Sequence, residues 1–203
     1  MLFRSIAHIM THRLPKKYGI HPQTDCQILS PMNTGPLGVH AFNTELQQRL
    51  NHHNPILLTA PDGTEYRKDD KIIQLRNNYD SGVFNGDIGT VDAYYADRKT
   101  LFIRFDERDV EYKLPDLIDI RLAYAVSIHK YQGSECPYVI IPIHRMHQHM
   151  LNRNLLYTAL TRGKRMVILM GQTTALHTAI HNTSAIHRHT GLGYFLTVSN
   201  STK

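Results

Sequence analysis

The sequence predicts an α/β fold interrupted by a small antiparallel β module, and three features point to it. Short apolar runs alternate with helical patterns near the start of the chain. Between Tyr66 and Tyr112 that alternation gives way to β-rich runs separated by turn-forming residues. From Ala123 onward it resumes. With 203 residues, 41% of them hydrophobic, the chain can bury a proper core, so disorder is not the default expectation.

Taken in order, Leu2, Ile6, Ile9 and Met10 recur at helical spacing ahead of Pro15, which predicts a lead-in helix ending near Leu14. CQILS at 26–30 reads as a short buried strand, and PMNTGPLG at 31–38 must be a loop because it holds two prolines and two glycines. From Val39 to Leu50, a helical pattern carries Ala41, Phe42, Leu46 and Leu50 and includes Gln47 and Gln48. The runs KIIQLR, GTVDAYY, TLFIRF and VEYKL predict the strands of the β module. Asn85-Gly86, followed by Asp87 and Gly89, predicts a tight turn that needs positive φ. AYAVSI at 123–128 and YVIIPI at 138–143 read as apolar strands, LNRNLLYTALTR at 151–162 as a helix and RMVILMG at 165–171 as a further buried strand. A last helix carries Ala175, Leu176, Ala179 and Ile180, and the chain turns polar by Asn200, where fraying is expected. The expected division is 1–65 for the first part of the α/β domain, 66–117 for the inserted module and 118–203 for the remainder.

Composition narrows the function classes. Lys and Arg number 23 against 17 Asp and Glu, a net charge of +6 that suits polyanionic partners without identifying one. Cys26 and Cys136 lie outside any CxxC pairing, so neither a disulfide framework nor a zinc ribbon is indicated. No apolar run reaches the roughly 20 residues that span a bilayer, and the opening MLFRSIAHIM lacks a small-residue cleavage site. A soluble, cytoplasmic protein without a membrane partner is expected. His177 and His181 stand at i, i+4, with His187 and His189 after them, but no Asp, Glu or Cys stands near to complete a site, so no metal is expected. His144, His147 and His149 read as surface loop residues.

Two strings carry candidate chemistry. In VSIHKYQGSE at 126–135, Ser127 and His129 can donate to a nucleic-acid backbone, Lys130 can meet a phosphate, and Gly133 with Ser134 can expose backbone N–H groups to an anion. Glu135 is an acceptor suited to sugar hydroxyls. An ordinary strand-to-loop junction explains this string equally well. In LLYTALTRGK at 155–164, Arg162 and Lys164 stand at a helix C-terminal end, where a cation gains about 0.3–1 kcal/mol from the helix dipole without any catalytic role.

HKYQGSE followed by LLYTALTRGK resembles motifs five and six of superfamily-one helicases, in the form found in RecD-like enzymes and the exodeoxyribonuclease V alpha-subunit family. QILSPMNTGPLGVHAFN resembles the motif-four region of that family, and DKIIQLRNNYDSGVFNGDIGTV the start of its inserted barrel. The resemblance implies a RecA-like second motor domain, of the P-loop NTPase type but without its own P-loop, carrying an inserted small SH3-like β-barrel. It implies that Arg162 reaches the γ-phosphate across an inter-domain cleft, and that Gly133, Ser134 and Glu135 approach the nucleotide. It also implies that Ser127 and His129 touch single-stranded DNA, and Lys130, which can meet a phosphate, is counted with them as a DNA-binding candidate. Arg76, Asn77, Asn78 and Tyr79 form the candidate contact loop of the barrel, although good turn formers explain Asn77 and Asn78 equally well.

Two positions depart from the family pattern. Asn33 and Thr34 stand where relatives usually place a basic residue, which puts a second phosphate-contacting cation in doubt. Tyr131 replaces a small residue, as a stacking surface or as a packing change. No GxxxxGK[ST] occurs in the chain, nor an acidic motif in a setting suited to Mg²⁺. The implied partners are therefore single-stranded DNA and the N-terminal motor domain of the same natural chain, with ATP and Mg²⁺ as cofactors of the complete enzyme and the Mg²⁺ ligands outside these residues. The rival expectation is a non-enzymatic nucleic-acid- or protein-binding module with relic motor motifs.

Overall fold

The structure, a computed structural model, describes residues 2–106 and 108–183. His187, His189 and the expected fraying at Asn200 lie outside the described residues. The opening helix runs further than its pattern suggests. α1 (Leu2–His8) passes through a π-helical turn (Ile9–Arg13) into α2 (Leu14–Tyr18). Pro15 does not stop it, because it falls in the first turn of α2, where its missing N–H is least needed, directly after the wider π turn. Gly19 ends the helix instead, at φ 63° with its N–H bonded to the Pro15 carbonyl at 2.8 Å.

A short α3 (Pro22–Asp25) leads into β1 (Cys26–Ser30), buried along its whole length. The 31–38 loop is held by Ser30, whose Oγ donates to the Leu37 carbonyl at 2.8 Å. It caps α4 (Val39–Leu50) with main chain: the Val39 and His40 N–H groups bond to the Met32 and Asn33 carbonyls, each at 3.0 Å. A Cβ at Gly38 would stand 2.4 Å from the Thr34 carbonyl oxygen, so this close turn requires glycine.

A hairpin of β2 (Ile56–Thr59) and β3 (Glu65–Arg67) precedes the inserted sheet. That sheet comprises β4 (Lys71–Gln74), β5 (Ile88–Tyr95), β6 (Thr100–Phe105), β7 (Arg108–Lys113) and β8 (Ile120–Leu122), antiparallel throughout in the order β7-β6-β5-β4-β8. Its first four strands fall on the four β-rich runs. β8 lies beyond residue 117, the expected end of the module, because three residues after a 3₁₀ turn (Leu114–Asp119) are too few to show alternation. Gly86 adopts φ 100°, the positive value its turn demands.

The chain then returns to α/β order with β9 (Ala125–Ser127), β10 (Cys136–Ile143), α5 (Arg153–Leu160), β11 (Gly163–Gly171) and α6 (Thr173–His181). The strands form a parallel sheet in the order β11-β10-β1-β9. Alternate residues feed two cores. Ile28, Tyr138 and Ile140 pack with Ile6, Met10, Phe42 and Leu46 of the early helices. Leu29, Val139, Ile141 and Ile143 pack with Leu155, Leu156, Ala159, Ala175 and Ala179 of the late ones. The result is a three-layer sandwich. The first core runs on into the inserted sheet through Ile72, Val91, Leu101 and Ile103, so the module is packed against the α/β layers and not tethered to them.

A buried carboxylate ties the same junction together. Asp70, fully buried, accepts from Gln47 Nε2 and Asn51 Nδ2 of the α4 end (both 2.6 Å), from the Arg67 N–H (2.6 Å) and from the Tyr124 hydroxyl (2.7 Å). Burial pushes its carboxyl up, and the four donors hold that rise back. Asn43 adds a second tie: its amide nitrogen donates to the Leu122 and Ala125 carbonyls (2.8 and 3.1 Å), and its oxygen accepts from the Ala125 N–H (2.8 Å).

His147 is a correction to the surface reading of the 144–149 histidines. The 3₁₀ turn Arg145–His147 folds its ring inward, and burial pushes the imidazole down to about 4. No helix among the described residues is long and apolar enough to cross a membrane.

Candidate functional site

The two motif strings meet at one end of the parallel sheet. β10 opens at Cys136 beside Gly163, the first residue of β11, and the Cys136 N–H bonds to the Arg162 carbonyl at 3.0 Å. Arg162 stands just beyond the end of α5, and its guanidinium is docked on the chain around it. Nε donates to the Thr158 carbonyl (3.2 Å), Nη1 to the Ser134 carbonyl (3.3 Å) and Nη2 to Thr161 Oγ1 (3.1 Å). Three of its five N–H groups are thereby spent and two remain for an incoming anion. Gly133, exposed at φ 92°, turns the chain into Ser134, so Gly133, Ser134, Glu135 and Arg162 share one edge. Glu135 is exposed and pairs with Lys164 at 3.3 Å, a contact worth about 0–1 kcal/mol.

The opposite end of the sheet holds the residues expected to meet DNA. β9 ends at Ser127, in register with Ser30 at the end of β1. Ser127 is nearly buried, and its Oγ accepts from the Lys130 N–H at 3.4 Å. His129 is exposed. A groove of about 590 Å³ runs past this end, lined by Asn33, His40, Asn43, Thr44 and Gln47 on one side and by Arg121, Ser127 and Lys130 on the other. The connection from Ser127 to Cys136 links the two ends through short turns. Tyr131 N–H bonds to the Ser127 carbonyl (3.1 Å) and Ser134 N–H to the Tyr131 carbonyl (3.2 Å).

Lys130, Asn77, Asn78 and Tyr131 all have partners within the fold. Lys130 Nζ donates to Asn85 Oδ1 (3.1 Å) and the Leu75 carbonyl (3.4 Å), so its cation braces the inserted module. Asn77 and Asn78 close their own loop. Asn78 pairs with Val83 through both main-chain groups, its Oδ1 accepts from the Ser81 N–H (3.0 Å), and Asn77 Oδ1 accepts from the Asn85 N–H (2.9 Å). Tyr131 is buried among Ile128, Cys136 and their neighbours, which makes it a packing change.

Sequence reasoning missed the groove wall of His40, Thr44 and Arg121, since residues far apart in the chain meet there. A helix presenting Gln47 and Gln48 beside apolar positions was the available signal. Among the described residues no group of three His, Cys, Asp or Glu side chains is placed to hold a metal. His177 and His181 stack on one face of α6, with ring centroids 6.1 Å apart. The free N–H groups of Arg162 fit a phosphate edge.

Residues 42–105 match the family described as the ATP-dependent RecD-like DNA helicase SH3 domain. Residues 122–170 match the UvrD-like helicase C-terminal domain. Among curated relatives, the chain is 37% identical over 149 residues to the ATP-dependent RecD2 DNA helicase of Deinococcus radiodurans, a match covering 73% of this chain and 20% of that protein. It is 27% identical over 162 residues to the RecBCD enzyme subunit RecD of Buchnera aphidicola, covering 79% of this chain and 27% of that protein. The chain thus spans about a quarter or less of these relatives' length. Of solved structures, the Pif1 helicase from Bacteroides in complex with ADP-AlF3 and ssDNA aligns with a TM-score of 0.58 at 16% identity, over 98% of this chain and 54% of that one. The parallel sheet with its antiparallel insertion is accordingly a RecA-like motor fold carrying an inserted SH3 domain.

Proposed function

The chain is related to the C-terminal part of the RecD-like helicases, and from that premise we propose that it supplies the second motor half of an ATP-dependent DNA helicase. In this reading residues 1–65 and 118–203 form the motor domain, apart from β8 (Ile120–Leu122), which completes the sheet of the 66–117 insertion. The partner is a phosphate-binding motor domain that holds ATP and Mg²⁺, together with single-stranded DNA, in a cytoplasmic setting. Arg162 acts as an arginine finger from across the cleft, while Gly133, Ser134 and Glu135 line the nucleotide edge. Ser127, which lines the groove, and the exposed His129 two residues on border the strand.

The observation that carries this proposal is the docking of Arg162 on the Ser134 carbonyl, which joins the two motif strings into one surface. A guanidinium held before the nucleotide arrives offers its two free N–H groups where charge grows on the γ-phosphoryl oxygens, with little reorganisation. The linked turns Ser127–Tyr131–Ser134 give a physical route by which a shift at the nucleotide edge alters the DNA edge. Bound ATP, with its Mg²⁺, supplies the phosphoryl group. This chain's residues position and neutralise it.

A labelled oligonucleotide titrated by fluorescence anisotropy tests the DNA half of the proposal. Binding should be weak and indifferent to sequence, and affinity should fall with salt at a log–log slope of about −2 or steeper, since each single-strand phosphate contact contributes roughly −0.7. Affinity that ignores salt, or none at low salt, would count against the groove.

A further inference from the structure

We propose that Tyr79 and Phe84 form a nucleobase-stacking site on the inserted SH3 domain, on the loop bordering the groove; this rests on the single-strand reading above. Both rings lie in the loop between β4 and β5, where Tyr79 is 76% and Phe84 47% exposed. Their centroids are 6.0 Å apart with the planes at 76°, so one ring braces the other edge-on and leaves a ring face open to solvent.

The loop beneath them is ordered. Asn78 and Val83 exchange main-chain bonds at 2.7 and 3.0 Å, and the Gly86 N–H bonds to the Gln74 carbonyl at 2.9 Å. Asn77 donates through Nδ2 to the Tyr79 hydroxyl (3.1 Å) while its Oδ1 accepts from the Asn85 N–H (2.9 Å). Lys130 Nζ reaches Asn85 Oδ1 and the Leu75 carbonyl, so the loop is fastened at both of its ends to the DNA edge of the motor sheet. Rings held on such a frame have little freedom left to lose when a base stacks on them.

Position and surroundings select the occupant. Leu75 and Lys130 line the groove, and the loop that carries the ring pair departs immediately after Leu75, which sets the rings on the loop bordering the groove. Arg76, exposed and paired with Asp119 at 3.4 Å, follows Leu75 directly and is the cation nearest the rings in the chain, while Lys130 holds the base of the loop. The other residues of the loop, Asn77, Asp80, Ser81 and Asn85 among them, are polar, which suits a flat base edged with polar groups and not the broad apolar face of a protein partner.

The test compares an ordinary oligothymidylate with an abasic oligonucleotide of equal length and charge, on the parent and on a Tyr79→Ala/Phe84→Ala double variant. The parent should prefer the base-bearing strand by roughly tenfold, within the range of one or two stacked bases. The double variant should bind both strands at the parent's abasic level, with the salt slope unchanged. Tyr79→Phe should keep the preference, and matching melting curves establish that the exposed substitutions leave the fold intact. If the double variant retains the parent's preference, the stacking site is wrong while the groove stands. If the parent binds neither strand at low salt, the groove reading fails and takes this site with it.

Discussion

If Arg162 acts as proposed, replacing it with alanine in the chain joined to a phosphate-binding motor domain should lower DNA-stimulated ATP turnover by about 10³- to 10⁵-fold, the size of an arginine-finger effect. ATP affinity should change far less, because the cation matters most as charge spreads over the transferring group. The competing role is also visible in the structure: the Nε bond back to the Thr158 carbonyl satisfies one of the free carbonyls at the end of α5. Losing that bond and its neighbours costs on the order of 1 kcal/mol of stability, too little to account for such a drop in rate. Lys164→Ala is the control, since its partner Glu135 is exposed and the pair contributes about 0–1 kcal/mol. Turnover of Arg162→Ala near the parental value would leave Arg162 with helix capping alone.

Asp70→Ala should be the most damaging substitution for the fold away from the apolar core, with a loss of about 3–5 kcal/mol and a melting temperature lower by roughly 10 °C or more. The reason is what remains behind. Gln47, Asn51, the Arg67 N–H and Tyr124 all direct donors at the fully buried carboxylate, and each unmet buried donor costs about 1–3 kcal/mol. Asp70→Asn should fall between, because its amide nitrogen would face donors where an acceptor is needed. Chemical denaturation checks both variants. A loss below about 1 kcal/mol for Asp70→Ala would mean that water replaces the carboxylate and that this hub is not what joins α4 to the insertion.

What could be read ahead of the structure follows from the range of the forces involved. Strand periodicity is local, so CQILS, TLFIRF and YVIIPI all declared themselves, as did the turn at Asn85-Gly86. The order of the two motif strings placed Arg162 and Ser134 in one region before their contact was known. Long-range polar ties had no such signature. Asn43 reaches across 82 positions to Ala125 and Asp70 across 54 to Tyr124, and nothing in either residue's neighbours announces its partner. Lys130 shows the same limit: a lysine in a motif loop suggests a phosphate ligand, whereas its contact with Asn85 lies 45 positions away. His147 was misplaced because a polar run masks a turn that points one ring inward. The helix through Pro15 depends on a π turn that side-chain spacing does not encode.

The claim that these 203 residues supply one half of a two-domain motor is tested most directly by phosphate release from ATP, with Mg²⁺ and saturating single-stranded DNA present. The purified chain alone should stay at background, because no GxxxxGK[ST] loop is present in it to cradle the β- and γ-phosphates. Joining the phosphate-binding domain to it should raise turnover to the helicase range. Helicase-like turnover by the 203 residues alone would contradict the claim.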